Sequence, residues 1–340
     1  MSSRDQEPSG VLGICKPPGM TSHDMVALCR RVFCTRAVGH AGTLDPLAAG
    51  VLPVLIGAAT RLAEHLASQV KEYRAEVVFG VTSDTGDLAG NLAATAEPPR
   101  APRADDLVAA VVGLQGEIRQ VPPAYSARKV GGRKLYDLAR SGDITASVLA
   151  QAARPVTVYA ATVLRQGPLG WGQFAAYPAA TIDIQCSSGT YVRELASRLG
   201  EVLGLPACLG FLLRRQCAGL RLADCIDVES LMWPSSQPVP ARFAGRWRSL
   251  AAAVPFLPAW LAGEDEAVRL ANGLAVPLDR LTLARRAEAP WDAMPMKTQR
   301  EELGWVAVLG SDHQLVALAQ IESAHGAAGP VLRPRKVFAR

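Results

Sequence analysis

At 340 residues the chain is long for one minimal core and suits a large domain followed by a smaller one. Its 49% hydrophobic and 20% charged residues exclude general disorder, and apolar runs such as Gly50–Ala59 are too short and too broken by Gly and Pro to span a bilayer. Net charge is +5, and the seven cysteines are scattered with no C-x-x-C pair, which argues for reduced thiols in the cytosol and against a zinc site.

In chain order, residues 1–10 read as a disordered tail; the first nine are polar and lack the basic and apolar regions of a secretory signal. Thr21–Phe33 reads as a helix, with Thr21 and Asp24 spaced as a capping box and Met25, Val26, Cys29 and Val32 on one stripe. Gly39–Gly57 predicts a Gly-rich loop, a short helical turn and a buried strand, and Tyr73–Thr82 predicts another strand. Residues 83–103 carry Asp, Gly and Pro and read as an exposed connection, followed by a short helix at Asp105–Leu114. Strands are expected at Val156–Leu164 and Phe174–Cys186. Thr190–Leu203 is the clearest helix: Val192, Leu195, Ala196, Leu199, Val202 and Leu203 keep a helical spacing, and Gly204 stops it. Trp233–Gly245 has no period and is rich in Pro, Ser and Arg, so a linker is placed at 233–253. Short strand candidates at Trp305–Leu309, Gln314–Ile321 and Lys336–Ala339 then suggest a small β-rich domain over 254–340.

Two segments carry chemistry. In Gly39-His40-Ala41-Gly42-Thr43-Leu44-Asp45-Pro46-Leu47-Ala48-Ala49-Gly50, glycines let the backbone approach a ligand, and Pro46 biases Asp45 away from helix so that its carboxylate projects from a loop. The same Asp-Pro pair is also a good helix start, with Asp45 as N-cap. In Ser187-Ser188-Gly189-Thr190-Tyr191-Val192-Arg193, Arg193 falls in the first helical turn, where a cation opposes the dipole and calls for a local anion such as Asp45, another acid or a phosphate. Charge is concentrated elsewhere: from Arg119 to Arg140 there are six Lys/Arg against a single acid, Asp137, which matches the balance of the whole chain. With Tyr125 and Tyr136 among them, this cluster fits either a nucleic-acid backbone or a solvated basic face.

These segments, together with Lys16-Pro17-Pro18-Gly19-Met20-Thr21-Ser22, Lys71-Glu72-Tyr73-Arg74, Pro122-Pro123-Ala124-Tyr125-Ser126-Ala127, Gly132-Arg133-Lys134-Leu135-Tyr136 and Leu213-Arg214-Arg215, resemble in content and order the TruB type of tRNA pseudouridine-55 synthase, from Val11 to about Leu231. The resemblance implies an α+β pseudouridine synthase fold with a mixed, largely antiparallel sheet over 11–232, an RNA-facing insertion at about 84–143, and a small PUA-like RNA-binding domain at the C-terminus. Leu281–Leu303 departs from that pattern. The implied reaction isomerises the T-loop uridine of tRNA: the base flips out, C1′–N1 breaks and C1′–C5 forms, with no cofactor and no metal. By the same resemblance Asp45 is the catalytic carboxylate, suited to act as nucleophile at C1′ or as base at C2′. Arg193 pairs with it, and Tyr73 stacks on the uracil and helps remove the C5 proton. His40, Leu213, Lys16, Gly42, Thr43 and Tyr191 are implied to bind substrate, and Arg128, Lys129, Arg133, Lys134, Arg214 and Arg215 to contact RNA.

The implied partner is the T-arm of tRNA, bound by a cytoplasmic monomer with no membrane, guide RNA or protein partner. Two rivals stay open at this level: a guide-RNA-dependent uridine isomerase and a tRNA-folding chaperone. A glycoside hydrolase would need a second acid near Asp45, and none stands out in the sequence.

Overall fold

The computed structural model describes residues 8–126, 128–235, 237, 241–277, 304–323 and 330–338. The irregular stretch Leu281–Leu303 and most of the expected N-terminal tail lie outside these residues.

The chain begins with β1 (Gly10–Lys16) and α1 (Ser22–Val32). Thr21 Oγ1 accepts the Asp24 N–H at 3.0 Å and the Asp24 carboxylate accepts the Thr21 N–H at 2.8 Å, so the capping box starts the helix as the spacing predicts. β2 (Val38–His40) and β3 (Ala49–Ile56) follow. Every residue of β3 is buried because both faces are covered: Leu52, Val54 and Ile56 pack with α1, and Val51 and Leu55 with a second cluster reaching the C-terminal region.

Past α2 (Ala63–Ala67), β4 (Lys71–Phe79) alternates, burying Lys71, Tyr73, Ala75 and Val77 while Glu72, Arg74 and Glu76 stay half-buried. Residues 83–103, expected as an exposed connection, contribute to a hairpin of β5 (Val81–Ser83) and β6 (Leu92–Ala94) whose turn reaches the site described below. Then come α3 (Ala104–Val112), β7 (Gly116–Gln120), and the small elements β8 (Lys129–Val130), β9 (Arg133–Lys134), α4 (Leu135–Arg140) and α5 (Ala146–Gln151). β10 (Arg154–Pro168), β11 (Pro178–Cys186), α6 (Val192–Leu203) and β12 (Ala207–Cys217) complete the central body. β13 (Leu220–Arg221), β14 (Cys225–Ile226), α7 (Val228–Met232) and β15 (Trp247–Arg248) close its edge.

Among the described residues these strands form one sheet in the order β14-β1-β3-β12-β4-β11-β10-β7, with β2, β13 and β15 paired beside it. The pairs β1–β14 and β3–β12 are parallel and the rest antiparallel, giving the mixed, largely antiparallel sheet expected of an α+β fold. Tyr73, Ala75 and Val77 share a core with Leu107 and Val111 of α3 and Leu195, Ala196 and Leu199 of α6, so helices cover one face of the central strands. On α6, Val202 is exposed although the spacing counted it with the apolar stripe; it sits at the edge of the buried arc, and Leu203 packs inward in its place.

The stretch 233–253, expected as a linker, is packed where it is described. Phe33 meets both the buried Phe243 and Trp247, each at 5.8 Å between ring centroids, and Trp247 pairs with Leu12 of β1. Arg242 donates to the carbonyls of Ser230, Leu231 and Trp233. Burying a side chain the size of Phe243 contributes about 1.5–3 kcal/mol, enough to hold a segment that has no period of its own.

Among the described residues the C-terminal region holds β16 (Ala259–Leu261), α8 (Glu264–Ala271), β17 (Val276–Pro277), β18 (Trp305–Leu309), β19 (Leu315–Ser323) and β20 (Pro330–Val337), in a five-stranded sheet ordered β16-β18-β19-β20-β17. It is fastened to the central body: His65 meets Trp305 edge-on at 4.6 Å, and Lys336 Nζ lies 2.6 Å from both the Arg61 carbonyl and Glu64. Among the described residues no helix is long and apolar enough to cross a membrane.

Candidate active site

Asp45 lies between β2 and β3 on a loop braced from every side. Ser22 Oγ, in the first turn of α1, accepts the Leu44 N–H at 2.9 Å and bonds the Leu44 carbonyl at 3.1 Å. Gly19 N–H donates to the Pro46 carbonyl at 2.8 Å. From beneath, Arg214 of β12 donates Nη2 to Gly42 O at 2.8 Å, Nη1 to Thr43 O at 3.3 Å and Nε to Val51 O at 2.8 Å. Gly50 permits this approach: at φ +106° it lies in register with Arg214, and an added Cβ would stand 2.2 Å from the Arg214 carbonyl oxygen. The segment after Asp45 makes one turn, with Ala48 N–H on the Asp45 carbonyl at 3.1 Å, and not a helix, so Asp45 is no N-cap.

Its carboxylate goes to Arg193, the second residue of α6. Arg193 Nε lies 3.0 Å from Asp45 Oδ2, although the N–H is not aimed at that oxygen, so the contact is an ion pair and not an aligned hydrogen bond. Nη1 donates to the Thr85 carbonyl in the β5–β6 turn at 2.7 Å, and Nη2 to the Tyr125 carbonyl at 3.2 Å. The guanidinium thus joins the Asp45 loop, the hairpin and the basic insertion. Arg193 is 4% exposed, whereas the Asp45 side chain is 38% exposed, so the carboxylate is the open partner.

Burial raises the Asp45 carboxyl above the ordinary aspartate range, Arg193 pulls it back, and the nearby Asp87 lifts it further. The sequence singled out no second acid, but Asp87 is there, 5% exposed in the β5–β6 turn. It accepts Thr85 Oγ1 at 2.7 Å and the Ala89 N–H at 3.1 Å, so it is committed to the turn and is not the open second carboxylate of a glycoside hydrolase. An Asp in an Asp-Thr-Gly-Asp turn looks solvent-exposed in sequence, and only the packing of Gly86 against Arg193 brings it in.

Tyr73 shares the Asp45 face of the sheet, in register with Arg214, whose charge acts on its hydroxyl. Burial pushes the Tyr73 hydroxyl well above its usual range and favours its protonated form. The ring is 7% exposed.

Other residues named from the sequence are placed differently. Arg214 is fully buried and tied to carbonyls, so it is a scaffold of the loop and cannot reach a phosphate. Lys16 is likewise fully buried, its Nζ donating to the carbonyls of Met20 at 2.6 Å, Pro17 at 2.9 Å and Pro46 at 3.3 Å, with burial lowering its pKa to about 8. Both cations are spent on backbone carbonyls of the Asp45 loop and its neighbours. Leu213 is in register with Arg74, so the pleat sends it to the face opposite Tyr73 and Arg214, away from the base site expected for it. Arg215 is on that far face too, 2.6 Å from Asp183, which also takes Arg74 at 2.8 Å.

His40 ends β2 with a buried Nδ1 that has no hydrogen-bond partner, and burial, then Arg214 and His23, lower its pKa and favour the neutral ring. Gly42 takes φ +86°, Thr43 is exposed, and Tyr191 is the N-cap residue of α6 with Arg154 5.9 Å over its ring. In the insertion, Tyr125 and Tyr136 meet edge-on at 6.3 Å and Arg140 lies 4.6 Å over Tyr136. Arg128 and Lys129 are exposed, Arg133 pairs with Asp143 at 3.1 Å, and of Lys134 only the backbone in β9 is described. Among the described residues no three His, Cys, Asp or Glu side chains gather as a metal site.

The chain is similar to known proteins. Residues 30–192 match the TruB family pseudouridylate synthase (N terminal domain). The tRNA pseudouridine synthase B of Symbiobacterium thermophilum is 42% identical over 273 residues, covering 79% of this chain and 83% of that one. That of Moorella thermoacetica is 45% identical over 223 residues, covering 65% of this chain and 70% of its own. Among solved structures, a Cbf5-Nop10-Gar1 complex superposes with a TM-score of 0.67 at 24% identity, covering 97% of this chain and 85% of that chain, a likeness of fold. The helix-covered mixed sheet, the braced Asp45 loop and these matches together place the chain in the TruB family of pseudouridylate synthases.

Proposed function

We propose that the protein converts the T-loop uridine of tRNA, position 55, to pseudouridine as a stand-alone cytoplasmic enzyme, without guide RNA or partner protein. The observation that carries the reading is the Asp45–Arg193 ion pair at 3.0 Å, with the carboxylate open and the guanidinium buried. Family membership supports the reaction class, and the names of the bacterial relatives support tRNA as substrate.

In this reading the target nucleotide leaves its stack, at a cost of a few kcal/mol, and enters beside Asp45 with Tyr73 as one wall. Asp45 works as a carboxylate whether it attacks C1′ or takes the C2′ proton. Both routes need the ionised form, which burial and Asp87 oppose and Arg193 restores. The C1′–N1 bond breaks, the uracil turns, C1′–C5 forms, the C5 proton leaves to water or a nearby base and N1 takes up a proton, so the product is an isomer and no electrons are gained or lost. His40, Tyr191, Gly42 and Thr43 complete the substrate contacts in this reading. The exposed cations Arg128 and Lys129, with Arg133, Lys134 and the Tyr125–Tyr136 pair, give the insertion a surface for the T-arm backbone, while the C-terminal domain adds a second RNA contact.

The test uses purified protein and unmodified tRNA labelled with tritium at uridine C5. Release of tritium by wild type, and none by Asp45→Asn with tRNA binding retained, is the expected result. Equal release by both proteins would remove Asp45 from the mechanism.

A further inference from the structure

We infer that Gln120 is a positioning residue for the Asp45–Arg193 ion pair, locking the root of the insertion to the helix that carries Arg193; this rests on the functional reading above. Gln120 is the last residue of β7 and is buried. Its side-chain amide brackets one residue, Tyr191: Nε2 donates to the Tyr191 carbonyl at 2.9 Å, and Oε1 accepts the Tyr191 N–H at 2.7 Å. Tyr191 is the N-cap of α6 and has no side-chain cap of its own. An amide that engages both the N–H and the C=O of one residue fixes the height and the rotation of the helix start together. Arg193 is two residues further on.

The chain leaving Gln120 closes the circuit. It runs through Val121 and the buried Pro122 and Pro123, whose rings restrict φ, to Tyr125, the residue whose carbonyl accepts Arg193 Nη2 at 3.2 Å. From Gln120 one path therefore reaches Arg193 through Tyr191 and α6, and the other reaches the same guanidinium through the proline pair. Without the amide, the N-cap and the Tyr125 carbonyl are free to shift relative to each other, and Arg193 is held to Asp45 by a contact that is not itself an aligned hydrogen bond. Gln120 does not touch the carboxylate; it acts through Arg193.

A merely structural glutamine and a positioning one differ in their pH signature. Arg193 holds Asp45 ionised, so loosening Arg193 lets burial raise the carboxyl further, and the acidic limb of the rate profile moves to higher pH. The test compares wild type, Gln120→Met and Gln120→Glu in single-turnover pseudouridine formation on a tRNA transcript across pH, with tRNA affinity and melting temperature measured alongside. Gln120→Met, which removes both bonds, is expected to lower the saturating rate roughly 10- to 100-fold with tRNA affinity unchanged and the acidic limb displaced upward. Gln120→Glu keeps the acceptor for the Tyr191 N–H and is expected to fall between. If Gln120→Met does not fold, Gln120→Glu carries the same readouts. A wild-type rate and limb in both variants, a slower rate with the limb unmoved, an effect confined to affinity, or failure of both variants to fold would overturn the inference. An inactive wild-type protein would instead sink the functional reading on which it rests.

Discussion

Replacing Arg214 by Met separates a scaffold from an RNA contact. The guanidinium is fully buried and supplies donors to the Val51, Gly42 and Thr43 carbonyls at 2.8, 2.8 and 3.3 Å. Each buried carbonyl left without a donor costs about 1–3 kcal/mol, while removing a buried cation returns part of that by ending its desolvation. The long Thr43 bond counts least, so a net loss of about 3 kcal/mol is expected. At about 2.1 cal/mol/K per residue, a chain of 340 residues shifts by roughly 1.4 °C per kcal/mol, so the melting temperature falls by about 4 °C. Differential scanning calorimetry gives the melting temperature, and tRNA binding at several salt concentrations gives the number of phosphate contacts. The scaffold account predicts a lower melting temperature and an unchanged salt slope below the melt. An unchanged melting temperature with a slope reduced by about one would refute it and return Arg214 to the RNA surface.

Other expectations follow from the same packing. Asp45→Asn keeps the side-chain shape but leaves Arg193 without its counter-charge, so turnover is lost while filter binding of tRNA persists. Lys16 titrates at about 8 in the folded chain against an ordinary 10.5, so the unfolded state binds the extra proton between those values and stability rises with pH across that window; below it both states are protonated and the contribution is flat. Urea melts of Lys16→Met should lack that rise, and a rise equal to wild type would show that another group causes it. Gly50→Ala puts a Cβ 2.2 Å from the Arg214 carbonyl oxygen at φ +106°, so a loss of roughly 3 kcal/mol or more is expected in chemical denaturation, and wild-type stability would mean that β3 and β12 do not approach so closely.

What was legible in the sequence was what is local. The Thr21–Asp24 box and the Gly204 stop mark the ends of α1 and α6, because caps are satisfied within a few residues. Arg193 announced itself by standing where the helix dipole disfavours a cation, and the structure puts an acid against it. Burial of charge was not legible: Lys16 and Arg214 look like surface cations until the β3–β12 register and the fold of the Asp45 loop bring carbonyls onto them. Leu213 was misplaced for a related reason, since its neighbour's partner, and not its own chemistry, decides which face it takes. Asp87 and Thr85 hid in a polar turn whose role depends on a helix more than a hundred residues away. In 233–253 the lack of period masked Phe243 and Trp247, two apolar anchors that could have argued against a free linker.

The most direct test of the central claim incubates the purified protein with an unmodified tRNA transcript, with no guide RNA and no other protein, and maps pseudouridine by carbodiimide modification and primer extension. The account predicts a single stop at the T-loop uridine, absent with Asp45→Asn. A stop elsewhere, or none until a guide RNA is supplied, would contradict it.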